Sequence, residues 1–409
     1  MGSVNLNVLI LAQYFPPDMG GGATRAYNVA KGLVINGCKV MVITAFPHYP
    51  DGNIPQSYRW KPLCIEFFEG FKVIRTIVPP IASVGLIKRL ILFLSFMISS
   101  LFALPFVGKV DVIWAANPNI LSVFPAMLYG LFKRKPVTMN VDDLWPEDLH
   151  VFGLLNEGSF IFRLMQRIAK LAYAMAKLIT PISPGYVSVI CKKYCVDRQK
   201  IHVIRAGVDI NKFKASYNTS NHSKKSFKML YSGAFSIAYD FEQILLAAKM
   251  LRREKGIEFI LQGGGELADY LKVRVKKLKL KNVKIVDKIV SRGEVARLLS
   301  EADALILPLR DFGTPYLGIS SKLYEYQAAG KPIICCAMGQ PAEYISKTGS
   351  GVIVKPGDYK ALTKAILYLR ENSDVARKLG ISGRRYIEDN LSIEKIGLKM
   401  VKSFINMLT

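Results

Sequence analysis

The stretch NVLILAQYFPPDMGGGATRAYNVAKGLVINGCKVMVITAF, residues 7–46, decides the fold class. It opens on an apolar run, Asn7–Phe15, rich in residues that favour strands. The turn PPDMGGG follows. From Ala23 to Ile35 the pattern reads as a helix, and Gly37 closes it. Lys39–Phe46 is strand-like again. A strand, a tight turn, a helix and a second strand make a βαβ unit, whose two strands lie parallel.

The same grammar recurs downstream. Asp111–Ala116 and Pro136–Val141 are short apolar runs, each followed by a turn and a helical stretch, and Leu178–Ile182 and His202–Ala206 complete this half. Ala215–Ser226 is polar, has no hydrophobic period and reads as an exposed linker. The pattern then restarts, with strand-like runs at Lys228–Ser232, Glu258–Gln262, Lys284–Val286, Ala304–Pro308, Pro332–Cys336 and Val352–Val354. Two such series predict two doubly wound α/β domains, residues 1–210 and 211–390, followed by 391–409. A chain of 409 residues, 51% hydrophobic, is long enough for two cores. Open α/β sheets bind ligands beyond the carboxyl ends of their strands. The expectation is a ligand in a cleft between two facing domains.

Composition narrows the function classes. With 56 Lys and Arg against 31 Asp and Glu, the net charge is +25. Such a chain attracts polyanions, whether anionic lipid or phosphorylated substrates. The block Leu271–Lys284 concentrates this charge, either as a solvated helix face or as a phosphate- or membrane-facing patch. No zinc-ligand spacing and no aromatic-studded basic strand is present, so nucleic acid is not an expected partner. The six Cys form no metal pattern and read as core thiols of a reducing compartment. The first residues lack signal-peptide features, which points to the cytoplasm or a cytoplasmic membrane face.

Leu90–Val107 holds 18 uncharged residues after Lys88 and Arg89. As a helix it would extend about 27 Å, slightly short of a hydrocarbon core of about 30 Å. It reads as a helix buried in or lying on the first domain, as a segment inserted into one leaflet, or as a span. A span would divide the first βα series, which resumes at Asp111.

Four places can carry chemistry. Gly20-Gly21-Gly22 lies between a strand and a helix, where glycines let a ligand approach and helix N–H groups meet an anion. In YLGISSKLYEYQAAGKP, residues 316–332, Ser320 or Ser321 can cap a helix that Gly330-Lys331-Pro332 stops. That helix would begin where a ligand should sit. Lys322 and open N–H groups would face a diphosphate, and Glu325, one turn in, suits a ribose diol. Asp142 and Asp143, with Trp145, end a strand and suit sugar recognition or simple turn chemistry. His48 and His150 lie on loops, as contacts or merely solvated side chains. No triad ordering or metal motif supports a hydrolase or metalloenzyme.

Six stretches together, YFPPDMGGGATR, NVDDLWP, HVIRAGVDINKF, LQGGGE, SEADALILPL and above all SSKLYEYQAAGKP, resemble family 4 of the glycosyltransferases over nearly the whole chain. The subgroup resembles bacterial or archaeal surface-polysaccharide enzymes such as N-acetyl-fucosamine or N-acetyl-quinovosamine transferases. The resemblance implies the GT-B fold, a nucleotide-diphosphate sugar donor (a UDP-sugar), retention at the anomeric carbon, and neither a metal nor a cofactor. It assigns Glu325 to the ribose, and Gly318, Ile319, Ser320, Ser321 and Lys322 to the diphosphate and sugar. Gly21, Gly22, Gly233 and Gly264 would line the donor. Arg25 would face the acceptor. On the reading of the residues themselves, His48 and Trp145 are further acceptor contacts, and Asp142 or Asp143 would orient the acceptor or assist as base. The basic excess beside Leu90–Val107 makes a lipid-linked sugar or polysaccharide precursor at the membrane the expected acceptor. The C-terminal helix, residues 391–409, would return to the first domain.

Two departures from the family pattern stand out. Many members carry two acids eight residues apart, but here position 317 is Leu and only Glu325 remains. Many also place Arg and Lys after the first strand of the second domain, whereas YSGAFSIAYDFE has no basic residue. Lys322, Arg205 and Arg310 are then the candidates to meet the diphosphate charge. Two rival readings are a nucleotide-sugar epimerase and a non-catalytic nucleotide-sugar-binding membrane subunit.

Overall fold

The computed structural model describes residues 5–83, 85–117, 119–213 and 226–409. Of the segment read as a linker, only Ser226 is among them. The chain forms two compact units, residues 1–207 with 393–409, and residues 208–392. The division falls after Gly207, because Val208 N–H donates to Leu391 O at 2.9 Å and so ties it into the second unit.

Unit 1 is a seven-stranded sheet. Its strands are β1 (Asn7–Leu11), β2 (Lys39–Ala45), β3 (Leu63–Phe68), β4 (Phe71–Thr76), β5 (Val112–Ala115), β6 (Val137–Val141) and β7 (Leu178–Pro181), in the order β3-β4-β2-β1-β5-β6-β7. Its helices are α1 (Gly21–Ile35), α2 (Leu86–Ser99), α3 (Val123–Lys133), α4 (Glu147–Val151), α5 (Phe160–Met175) and α6 (Gly185–Tyr194). The sheet is not wholly parallel. β3 and β4 form an antiparallel hairpin at one edge, turning at Glu69 and Gly70, both with positive φ. The strand read at His202–Ala206 is absent, leaving only a bridge between Ile179 and Ile201.

The apolar stretch is α2 and a 3-10 continuation, Ser100–Phe106. Leu92, Phe93 and Phe96 enter the core of unit 1 beside Ile113, Ala126 and Tyr173. A membrane span would strip these side chains from that core.

Unit 2 is a six-stranded, fully parallel sheet: β8 (Phe227–Ser232), β9 (Ile257–Gly263), β10 (Val283–Asp287), β11 (Ala304–Pro308), β12 (Ile333–Cys336) and β13 (Gly351–Val354), in the order β10-β9-β8-β11-β12-β13. Its helices are α7 (Phe241–Met250), α8 (Ala268–Lys277), α9 (Arg292–Glu301), α10 (Ser321–Ala328), α11 (Gln340–Thr348), α12 (Tyr359–Glu371) and α13 (Ser373–Asn390).

The last helix, α14 (Ile393–Leu408), lies in unit 1 against α1. The seam depends on glycine. A Cβ on Gly397 would sit 2.2 Å from Gly32 O, and one on Gly32 would sit 2.4 Å from Ile393 O. Asn36 Nδ2 donates to Glu394 O at 3.0 Å, and Ile396, Met400 and Phe404 are buried.

Strand order locates the ligand crevices. In unit 1 the order reverses at β1, between β2 and β5. In unit 2 it reverses at β8, between β9 and β11. Such reversals open a crevice at the carboxyl end of the strand. The segments that follow β1 and β8 are therefore where function is sought.

Candidate functional site

In unit 2 the carboxyl ends of β8 and β9 carry no side chains at the crossing point. Gly233 has φ +150° and Gly263 φ +155°, a region closed to most L-residues. A Cβ on Gly263 would lie 1.8 Å from Gly233 O, and one on Gly233 would lie 1.9 Å from Lys322 Cε. The Lys322 stem thus runs directly over Gly233. Its Nζ donates to Tyr239 OH at 2.9 Å and stands 4.8 Å from the Tyr239 ring centroid, a cation–π contact. Burial raises the Tyr239 phenol, but the Lys322 ammonium and its hydrogen bond outweigh that, and the phenol ends below its ordinary value.

Lys322 belongs to the first turn of α10. Ser320 occupies the position before the helix, as the sequence suggested, yet its side chain makes no capping bond to the helix. Its hydroxyl is among the groups that draw the Tyr239 phenol down. The first-turn N–H groups of α10 are thus left without a side-chain cap, beside a cation, which is an arrangement suited to an anion. Ile319 is buried and anchors this turn, while Gly318 and Ser320 are half-buried and Ser321 is exposed. Glu325 lies one turn further and pairs with the Arg292 guanidinium at the start of α9. Arg310 is exposed after β11. At Gly264 a Cβ would make only ordinary contact with Ile289 Cγ1, at 3.5 Å, so packing does not require that glycine.

In unit 1 the glycine turn is part of the helix. α1 begins at Gly21, with Gly20 preceding it and no side-chain cap. A Cβ on Gly21 would meet nothing within 4 Å. Internal packing does not explain that glycine, and open space lies beside the N–H groups of the first turn.

Arg25 on α1 is 4% exposed. Rather than facing solvent, it clamps the site from within. Its Nη1 donates to Arg205 O at 2.8 Å, and its Nη2 to Ile204 O at 2.7 Å and to Asn140 Oδ1 at 3.2 Å. Its Nε stands 3.6 Å from Asp142 Oδ1. Asn140 Nδ2 donates to that same oxygen at 2.7 Å. Residues 140 and 142 point the same way because strand side chains alternate. Asp142 Oδ2 is buried with no hydrogen-bond partner among the described residues. Burial pushes the Asp142 carboxyl up to about 7, against the lowering pull of Arg25 and Asn140. An orphaned acceptor of this kind suits a hydroxyl group.

The other expected contacts of unit 1 stand in different surroundings. His48 is a buried ring, not a solvated loop side chain. Its Nδ1 lies 2.8 Å from Phe46 O, it stacks on Tyr14, and burial holds its pKa below the ordinary value. Asp18 Oδ1 accepts from the N–H groups of His48 and Tyr49, both at 2.9 Å, and fixes this loop. Trp145 packs edge-on against Phe93 of α2 at 5.8 Å and is only partly buried. Asp143 is exposed, and its backbone carbonyl accepts from Asn117 Nδ2 at 3.1 Å. His150 is exposed, near Glu157. Arg205 is half-buried and belongs to unit 1, whereas Lys322 and Arg310 belong to unit 2.

Sequence reasoning missed Tyr239, Arg292 and Asn140. Tyr239 sits in YSGAFSIAYDFE, whose conspicuous feature is its lack of basic residues. Asn140 had a readable signal, its two-residue spacing from Asp142. Nothing in the sequence singles out Arg292. Among the described residues, no group of three or more His, Cys, Asp or Glu could hold a metal ion.

Comparison with known proteins accounts for both units. Residues 19–212 match the family model described as Glycosyltransferase Family 4, and residues 213–386 match Glycosyl transferases group 1. The uncharacterized glycosyltransferase MJ1607 of Methanocaldococcus jannaschii is 22% identical over 85% of this chain and 84% of its own. The amylovoran biosynthesis glycosyltransferase AmsK of Erwinia amylovora is 26% identical over 53% of each chain. Among solved structures, Anabaena HepE in complex with UDP and glucose has a TM-score of 0.69 at 16% identity, covering 98% of this chain and 100% of its own.

Proposed function

The chain is a glycosyltransferase of the GT-B type, and on that premise we propose a specific reaction for it. It moves a sugar from a UDP-sugar donor to a lipid-linked or polysaccharide-precursor acceptor at the cytoplasmic membrane face. The anomeric configuration is retained and no metal ion takes part. One observation carries the donor half of this reading: Lys322 crosses a bare Gly233 at the open start of α10, with Glu325 on the same helix. UDP and glucose in HepE, and the amylovoran pathway of AmsK, support the donor and acceptor classes.

The chemistry follows from the charges. As the bond from the anomeric carbon to the diphosphate breaks, negative charge grows on the leaving phosphate. The N–H groups of Ser321 and Lys322, the Lys322 ammonium and Arg310 meet that charge without reorganising. Glu325 holds the ribose. The acceptor oxygen bonds to the anomeric carbon from the face the diphosphate leaves. Its proton passes to the departing phosphate oxygen. Asp142, through its unpartnered Oδ2, orients a reacting hydroxyl.

This role for Asp142 fixes a pH dependence. An ordinary Asp ionises near 3.8, whereas Asp142 does so at about 7. At pH 6 it is therefore mostly protonated and cannot accept through both oxygens. Transfer should rise about tenfold per pH unit below that value and level off above it. Asp142→Asn should remove this limb and lower the rate about 100-fold. A variant that keeps the wild-type profile rules out the role.

Donor identity is tested by thermal shift across nucleotide-sugars, since a ligand bound only by the folded state raises the melting temperature. UDP-sugars should stabilise the protein at concentrations where other nucleotide-sugars do not. A shift of about 2.7 kcal/mol is expected at 100-fold excess over Kd.

A further inference from the structure

Unit 1 carries an outer helix face that its fold leaves unpartnered. The connections β4 to β5, β5 to β6 and β6 to β7 all step the same way across the sheet. Right-handed crossovers therefore put α2, α3 and α5 on one side of it. α2 touches α3, and α3 touches α5. The inner side of this layer fills the core through Phe96, Ala126 and Tyr173. A surface helix ordinarily shows polar residues on its other side.

Here the other side is apolar. On α2, Ile87, Ile91, Leu94 and Ile98 recur at helical spacing, and Phe102 extends the stripe into the 3-10 turn. On α3, Leu131 is 75% exposed and Phe132 68%. On α5, Phe160 is 74% exposed, with Leu164 and Leu171 along the same helix. A shallow apolar groove of about 780 Å³ runs between α3 and the end of α5, past Leu128, Leu131 and Met175, with Arg134 and Lys177 at its rim.

The charge on this layer has one sign. Residues 86–110 carry Lys88, Arg89 and Lys109, residues 123–137 carry Lys133, Arg134 and Lys135, and residues 158–177 carry Arg163, Arg167, Lys170 and Lys177. None of the three segments contains an acid. Lys135 is within 3.6 Å of Asp111, which lies outside them. A partner must therefore be both apolar and negative. A second copy of the same face fails this test, because pairing would bring like charges together.

We propose that the outer face of α2, α3 and α5 docks this protein onto an anionic lipid bilayer, with apolar side chains entering the acyl boundary and Lys and Arg meeting lipid phosphates. This rests on the reading of the acceptor as membrane-borne and names the surface that reaches it. Apolar burial and basic charge together give attachment that neither gives alone.

The test is co-sedimentation at low salt with vesicles of equal parts phosphatidylglycerol and phosphatidylcholine, and with pure phosphatidylcholine. The wild-type chain should bind the first far more tightly than the second. Arg167→Gln with Lys170→Gln should weaken binding about 25-fold, at about fivefold per charge. Ile98→Glu with Phe102→Glu should abolish it. Lys276→Gln with Lys277→Gln, on α8 of unit 2, should leave it unchanged. The proposal is overturned if the wild type stays in the supernatant, if only the α8 variant loses binding, or if Ile98→Glu with Phe102→Glu instead converts a dimer into a monomer. The UDP thermal shift is measured on every variant. Lost vesicle binding with an intact shift isolates the surface, while vesicle binding without any nucleotide shift would leave the surface standing and sink the donor assignment.

Discussion

Lys322→Ala should lower sugar transfer by about 100- to 1,000-fold, the loss expected when one preorganised charge partner is removed from a developing anion. The effect should fall mainly on kcat, because charge on the leaving phosphate is greatest in the transition state. The reason is specific to this chain. The segment after β8 carries no basic residue, and Tyr239 stands where Lys322 Nζ now rests. On the proposed reading, Lys322 supplies from α10 the cation that this segment lacks. Lys322→Arg should rescue poorly, since the stem has to pass Gly233 with no room to spare. Gly233→Ala should reproduce much of the same loss while leaving Lys322 in the sequence. A Lys322→Ala enzyme with full kcat, or a harmless Gly233→Ala, would remove this residue from the reaction.

Gly397→Leu should destabilise unit 1 by roughly 3 kcal/mol, at the upper end of overpacking costs. The backbones of α1 and α14 meet at Gly32 and Gly397, where even a methyl group would lie 2.2 Å from a carbonyl oxygen. A larger side chain forces the helices apart and exposes Met400 and Phe404, now fully buried. In urea titration the two units need not unfold together. The transition belonging to unit 1 should move to lower urea, and that of unit 2 should stay. An unchanged unit 1 transition would mean that the seam contributes little.

Much of the fold was legible because βαβ units announce themselves through changes of period. The β3–β4 hairpin was not legible, because its two-residue turn puts Glu69, rather than the usual Asn, Asp or Gly, at positive φ before Gly70. His202–Ala206 was overread, since apolar composition alone does not supply a strand neighbour. The helix α10 was legible from the serines at its start, its stop and the spacing of Lys322 and Glu325. What a sequence hides is the use of a side chain once it is buried. Arg25 carries the formal charge of a ligand contact but is consumed by main-chain oxygens and Asp142. His48 stands on a loop in the sequence and inside a ring stack in the fold. Glu325 was singled out, but Arg292, which pairs with it, lies 33 residues away and left no local trace.

The placement of α14 has a consequence for how the protein is made. Residues 393–409 leave the ribosome after all of 208–392, yet they belong to the unit whose other residues emerged first. Unit 2 can close as soon as its own segment is out. Unit 1 must wait through the synthesis of its neighbour with the α14-facing side of α1 uncovered, including Gly32. During that interval it is the older part of the chain, not the younger, that is incomplete and open to chaperones or to wrong pairings.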